Sequence, residues 1–334
     1  MRKKLLILAG LVAVSAVVAV AQGRYHVAQR VALGGEGGWD YLTFDREAQR
    51  LFITRATHVI VIDARTLKAT GEIPDTPGVH GVALAPLLDR GFISDGGDST
   101  VTIFHLKTLK VLDRVKVGDR PDAILYDPYS KHVFTFNARG HDTTVLDAAT
   151  GKILGSISLG GKPEFAATDG KGSVWVNIED TSELAKIDVS GMRVSSRSPL
   201  TGCENPSALA FDPQHRRLFS GCENSMMTVV DADNGKLITT VPIGRGVDAG
   251  AFDQGTQQVF MSCGEGILKV IHEDTPDRYS VTETVTTARG ARTMTLDPDS
   301  GTVYTVTAQF GEAPAGHRPP IKPGTFELLV LKRQ

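Results

Sequence analysis

The sequence predicts an all-β fold: a seven-bladed β-propeller of four-stranded antiparallel blades, closed by an N-terminal strand that completes the last blade. Three observations carry this. A short segment recurs seven times, at spacings of 40, 42, 42, 43, 41 and 44 residues, and a fixed period of that length marks a repeat architecture. Further apolar runs of strand length follow in each repeat, bounded by Gly, Pro, Asn or Asp. Beyond the N-terminal stretch, no long segment shows a 3.6-residue apolar period. A β-sandwich would leave the strict repeat unexplained.

The chain of 334 residues begins with Arg2, Lys3 and Lys4, then an apolar run from Leu5 to Ala21 that ends Ala19-Val20-Ala21. A basic stretch, an apolar stretch and an A-x-A site form a secretory signal peptide, cleaved after Ala21. An uncleaved anchor is the alternative, since a run of this length just spans a bilayer. Residues 22–334 then form one propeller domain, periplasmic or secreted, with no membrane segment after cleavage. The mature chain keeps 33 of 36 basic residues against 38 acidic ones, a formal charge of −5. That balance disfavours nucleic acid and anionic membrane surfaces, which call for a basic footprint.

The recurring segment reads WDYLTFD (39–45), VHGVALAP (79–86), PDAILYDP (121–128), PEFAATD (163–169), PSALAFDP (206–213), VDAGAFDQ (247–254) and ARTMTLDP (291–298). Each is an inner strand closed by a turn. Asp45, Asp127, Asp169, Asp212, Asp253 and Asp297 cap the turn amides, and only Ala85 departs. Second strands follow, such as RLFIT (50–54) and HVFTFN (132–137), then third strands ending in Asp, such as HVIVID (58–63). A turn of the ATGK kind leads to fourth strands such as KILGSISLG (152–160). His272, in HEDTP, reads as a turn residue at the far end of its blade. The C-terminal TFELLVLK (325–332) is a third strand with no fourth after it, and YHVAQRVALG (25–34) is the orphan that fits the vacancy. Pairing them removes the free edges of an open array.

The repeat, with its apolar-Asp-Pro turn, LFIT or VFTFN strand and D-x-x-T-G-K hairpin, resembles the YVTN (YncE-like) family of exported bacterial propellers, a WD40-like repeat. The resemblance covers residues 25–334. It implies the fold and an exported setting, and it implies little about activity, because propellers host many.

One position in the repeat is polar without a turn to explain it: Asp40, His80, Asp122, Glu164, Ser207, Asp248 and Arg292. Inner strands line the central channel, so these seven form a ring at one mouth, with four carboxylates and one guanidinium. Crowded carboxylates repel and focus cations. The ring is the candidate ligand-binding site for a small molecule, cation or protein partner. Asp40, Asp122, Glu164 and Asp248 are the candidate ligands of a divalent cation such as Ca²⁺. A hydrated channel with Arg292 paired to its neighbours is the alternative. As an enzyme the chain would be a lactonase-like hydrolase, with Glu164 or a ring Asp as base, His80 as proton shuttle and Arg292 on the oxyanion. No nucleophile elbow, P-loop, HExxH or haem motif is present. An exported binding or scaffold protein, monomeric and without a certain cofactor, is the leading expectation.

The same face of the ring is expected to hold His58, Asp95, Asn137, His141, Asn177 and Glu223. It also carries the proline-rich insertion 308–326, in the position of a lid or partner contact. Cys203 and Cys222 flank the first two strands of blade five and are expected to form a disulfide, leaving Cys263 free.

Overall fold

Each copy of the repeat folds into one antiparallel sheet, and the described residues form seven such sheets. The computed structural model describes residues 24–313 and 319–334; the expected leader lies outside them. Blade one runs Trp39–Asp45, Arg50–Arg55, His58–Asp63 and Ala69–Ile73 from channel to rim. Blades two to six repeat that order, their inner strands being Val79–Ala85, Pro121–Asp127, Pro163–Thr168, Pro206–Asp212 and Val247–Asp253. Blade seven is assembled from both ends of the chain. Met294–Asp297, Thr302–Thr307 and Glu327–Arg333 supply three strands, and Tyr25–Ala32 pairs antiparallel with Glu327–Arg333 to supply the fourth. Tyr25 anchors the closure: its hydroxyl donates to the Gly301 carbonyl at 2.8 Å and its ring meets Phe260 edge-on.

The core lies between the blades. Each second strand places one aromatic side chain at its centre: Phe52, Phe92, Phe134, Trp175, Phe219, Phe260 and Tyr304, all buried. Several pack on the inner-strand aromatic of the adjacent blade, as Trp175 does on Phe211, Phe219 on Phe252 and Tyr304 on Phe44. Each such burial stabilises the ring by about 2 kcal/mol. Outer strands are largely solvated, as in Val111–Lys116, which is why only the inner three strands of a blade read as apolar.

The turn aspartates fold as their spacing requires. Asp127 accepts from the Ser130 amide and hydroxyl and from the Thr168 hydroxyl of the next blade. Asp45, Asp169, Asp212, Asp253 and Asp297 accept amides of their own turns. Where Ala85 stands instead, a 3-10 turn at Pro86–Leu88 replaces the cap, and Asp89 takes the left-handed conformation at φ 53°. Two local expectations change. His272 lies within a strand, because the third and fourth strands of blade six are lengthened to Ile267–Thr275 and Arg278–Thr286 and the turn falls beyond it. In blade seven the inner strand starts only at Met294, so Arg292 precedes it. Cys203 and Cys222 are joined as a disulfide, with Cα atoms 5.4 Å apart, and Cys263 is a buried free thiol whose pKa burial pushes up to about 12.

Candidate functional site

Six of the seven polar ring positions owe their direction to a repeated irregularity. In blades one to six the pairing of first and second strands shifts register at the ring residue, for example between Pro121 and Ile124 or between Val247 and Ala249. Such a bulge turns a side chain off the regular pleat. Polar side chains late in the second strand secure the displaced backbone. The Thr54 hydroxyl accepts the Asp40 amide and donates to the Tyr41 carbonyl. Ser94 donates to the Asp122 carbonyl of the next blade, Asn177 to the Ala208 carbonyl and Ser262 to the Ala291 carbonyl. Thr54, Ser94 and Ser262 went unread in the sequence, whereas Asn177 was expected on this face. Their signal is a Thr, Ser or Asn at the fifth place of RLFIT, RGFIS, SVWVN and QVFMS.

All seven ring residues line one cavity of about 730 Å³ at the channel mouth. Its wall also carries Lys162, Glu179, Glu223 and Arg289. Six carboxyls thus face three basic side chains, apart from His80. They form a chain of contacts. His80 Nδ1 lies 2.5 Å from Asp40 Oδ2 and 3.3 Å from Asp122 Oδ1. Arg292 Nε donates to Asp248 Oδ2 at 2.6 Å, and Nη2 donates to the Trp39 carbonyl at 3.0 Å and lies 3.7 Å from Asp40 Oδ1. Lys162 donates to Glu164 at 2.8 Å and also pairs with Glu179. Ser207 is turned away from ligand duty, because its hydroxyl donates to the Val247 carbonyl at 2.7 Å.

Shielding from water sets the protonation of this ring. Burial pushes the Asp122 carboxyl up to about 6; His80 opposes the rise and Asp40 adds to it. Burial likewise raises Asp248 to about 6 against the pull of Arg292. Glu164 is raised to about 9, by burial first and then by the charge of Asp122, even with Lys162 beside it. For His80 burial disfavours the charged ring, but the Asp40 hydrogen bond and the charges of Asp122 and Asp40 outweigh it and raise its pKa. Asp40, His80 and Asp122 have donor atoms within 4.8 Å of one another, the spacing a metal ion needs.

Neither a protein-family model nor a curated protein matches the sequence. Solved structures do match. Hydrazine synthase from Kuenenia stuttgartiensis superposes with a TM-score of 0.72 at 18% identity, over 80% of this chain and 92% of that one. A chain of the mitotic checkpoint complex superposes with a TM-score of 0.76 at 11% identity, over 99% of both. What these likenesses show is the fold. At such identities they carry no activity across.

The other residues expected on this face divide. Glu223 lines the cavity. His141 lies in a neighbouring recess with Arg120 and Asp122, and His58 in a third recess between blades one and two. Asp95, Asn137 and Asn177 are buried: Asp95 accepts from Thr102, Asn137 donates to Asp142 and Thr144, and Asn177 bonds the next blade. Of the insertion expected at this face, the described residues 308–313 and 319–326 flank the mouth, where Phe310 bridges to Ile321 and both reach the cavity with Pro319. Phe310 packs on Trp39, and Gly290 permits the fit, since a Cβ there would meet the Phe310 ring at 2.6 Å. Arg55, unread in the sequence, is buried and donates to the Glu36, Gly37 and Gly38 carbonyls, fixing the approach to the first inner strand. The opposite mouth holds a cavity of about 480 Å³ lined by Leu42, Val82, Ile124 and Phe165 among others. It offers apolar volume, and of its ionic groups Asp45 and Arg46 are already paired with Arg50 and Asp299, while Glu47 also lines it.

Proposed function

We propose that this chain is an exported binding protein whose channel-mouth cavity holds a divalent cation, anchored by Asp40, His80 and Asp122. The observation that carries the reading is the convergence of those three donor sets within 4.8 Å, inside a cavity where carboxyls outnumber basic groups. One imidazole among carboxylates suits Mn²⁺ or Zn²⁺, and the surrounding oxygens extend the range to Ca²⁺. A bound cation would offset the burial, and the lesser carboxylate repulsion, that raise Asp122 and Asp248. Export is supported by the basic-apolar-A-x-A start of the sequence and by the Cys203–Cys222 disulfide, which belongs to an oxidising compartment. The resemblance of the repeat to the YVTN (YncE-like) family supports the same setting.

The lactonase-like reading is weaker on the geometry. Glu164 accepts from Lys162 at 2.8 Å, and burial and then the charge of Asp122 raise its carboxyl, which leaves little of it free to act as a base. Arg292 is committed to Asp248 and the Trp39 carbonyl, which leaves little of it for an oxyanion.

Melting curves of the full-length protein with Ca²⁺, Mn²⁺ and Zn²⁺ test the binding reading. At least one ion is expected to raise the melting temperature, and Asp40→Asn and Asp122→Asn are expected to lessen the rise. No shift with any ion would overturn it. A lactone panel is expected to show no turnover; turnover abolished by Glu164→Gln would move the assignment to the hydrolase.

A further inference from the structure

A second cluster of ligand-type side chains lies on the opposite face, outside the channel. Asp212 ends the inner strand of blade five, His215 sits in the turn after it, and Glu273 lies on the third strand of blade six. Their donor atoms also lie within 4.8 Å of one another. The Asp212 and Glu273 side chains are 0% exposed, and that of His215 is 27% exposed. His215 Nδ1 stands 3.0 Å from Asp212 Oδ2 and 3.1 Å from Glu273 Oε1, yet it hydrogen-bonds to neither. Glu273 Oε2 is buried without a partner.

Buried polar atoms without partners are uncommon in folded proteins and need a cause. Two adjacent carboxyls shielded from water need a positive charge between them or a retained proton. Arg217 pairs with Asp212 across the strands but directs its guanidinium to Asp231, Asp277 and the His215 and Pro276 carbonyls. The Tyr279 hydroxyl reaches Glu273 only at Oε1, 3.3 Å away. The separations suit a metal: ligands about 2.1 Å from a first-row ion stand about 3.0 to 3.4 Å apart in octahedral or tetrahedral geometry.

We propose that Asp212, His215 and Glu273 form a structural site for a first-row divalent cation of the Zn²⁺ or Mn²⁺ class, which clips blade five to blade six. One imidazole nitrogen with two carboxylates selects that class over Ca²⁺ and Mg²⁺, which favour all-oxygen shells. The exposed side of His215 leaves room for water to complete the coordination. The site shares no residue with the channel mouth, so it stands independently of the function proposed above.

The test is calorimetric titration of chelator-stripped, full-length Asp40→Asn/Asp122→Asn protein, in which the channel mouth is disabled, with Zn²⁺ and with Mn²⁺. The expected result is one equivalent bound with a rise in melting temperature. Adding His215→Ala or Glu273→Gln should weaken binding by about 100-fold. Glu273→Gln keeps the side-chain volume and removes a buried charge, so it reports even where His215→Ala folds poorly. No binding in the double-substituted background, binding indifferent to Glu273→Gln, or Ca²⁺ bound as tightly as Zn²⁺ would each overturn the proposal.

Discussion

Asp122 and Asp127 lie at the two ends of one inner strand and act in opposite ways on stability. Asp127 is buried and accepts three hydrogen bonds from Ser130 and Thr168. Asp127→Ala should cost about 2–3 kcal/mol, since it strands those donors. Asp122 is shielded without an equivalent set of donors, and its carboxyl is raised to about 6. Asp122→Asn should therefore raise stability at neutral pH by about 1 kcal/mol, and denaturant melts of the two variants should move in opposite directions. The same imbalance sets the pH dependence. Asp122 and Asp248 retain protons in the folded state that the unfolded chain has released above about pH 4, so folding takes up protons. In the absence of a cation, stability should fall from about pH 4 to about pH 6 by on the order of 3 kcal/mol, with Glu164 extending the decline toward 9. A melting temperature that climbs steadily from acid to neutral pH would contradict this. The cap at Asp127 was legible in the sequence because Asp-Pro is a local signal. The ring position was legible too, as a polar residue with no turn to serve. The bulge that aims it, the His80 bridge and the pairing of Lys162 with Glu164 and Glu179 were not, because each depends on the approach of neighbouring strands and blades.

At the scale of elements, the second strand does the most. Its central aromatic fills the gap between blades, and in blades one, two and four its late Thr, Ser or Asn bonds inner-strand backbone beside the ring, as Ser262 of blade six bonds the Ala291 carbonyl just ahead of the last inner strand. Strand existence was readable from period and punctuation; strand length in blade six was not, because HEDTP looks like a turn until Glu273 and His272 find partners in the lengthened hairpin. The disulfide joins the approach to the inner strand of blade five to the end of its second strand, 19 residues apart. Replacing both cysteines with serine should cost up to about 3 kcal/mol in chain entropy, measured by denaturant titration. Alkylation of the native protein should label none of the three cysteines, and alkylation after non-reducing denaturation should label one, Cys263, which is buried. Recovery of three labelled cysteines without reductant would contradict the pairing.

For the whole molecule, closure of the ring makes the ends of the chain interdependent. The orphan strand at the front and the missing strand at the back were visible as a mismatch in the repeat, and the pairing of Tyr25–Ala32 with Glu327–Arg333 resolves it. The ring in turn gathers single residues from seven distant repeats into one cavity, which no local motif announces. The central claim is that this cavity binds a cation through Asp40, His80 and Asp122. The most direct measurement is calorimetric titration of Mn²⁺ into full-length Glu273→Gln protein, which lacks the opposite-face cluster, at pH of about 7 and about 5. Protonation of Asp122, Asp248 and His80 competes with the ion, so affinity at the lower pH should fall by about tenfold or more. The account predicts one equivalent bound at neutral pH, weakened in acid and lost in Asp122→Asn; no heat of binding at neutral pH, or binding unchanged by Asp122→Asn, would contradict it.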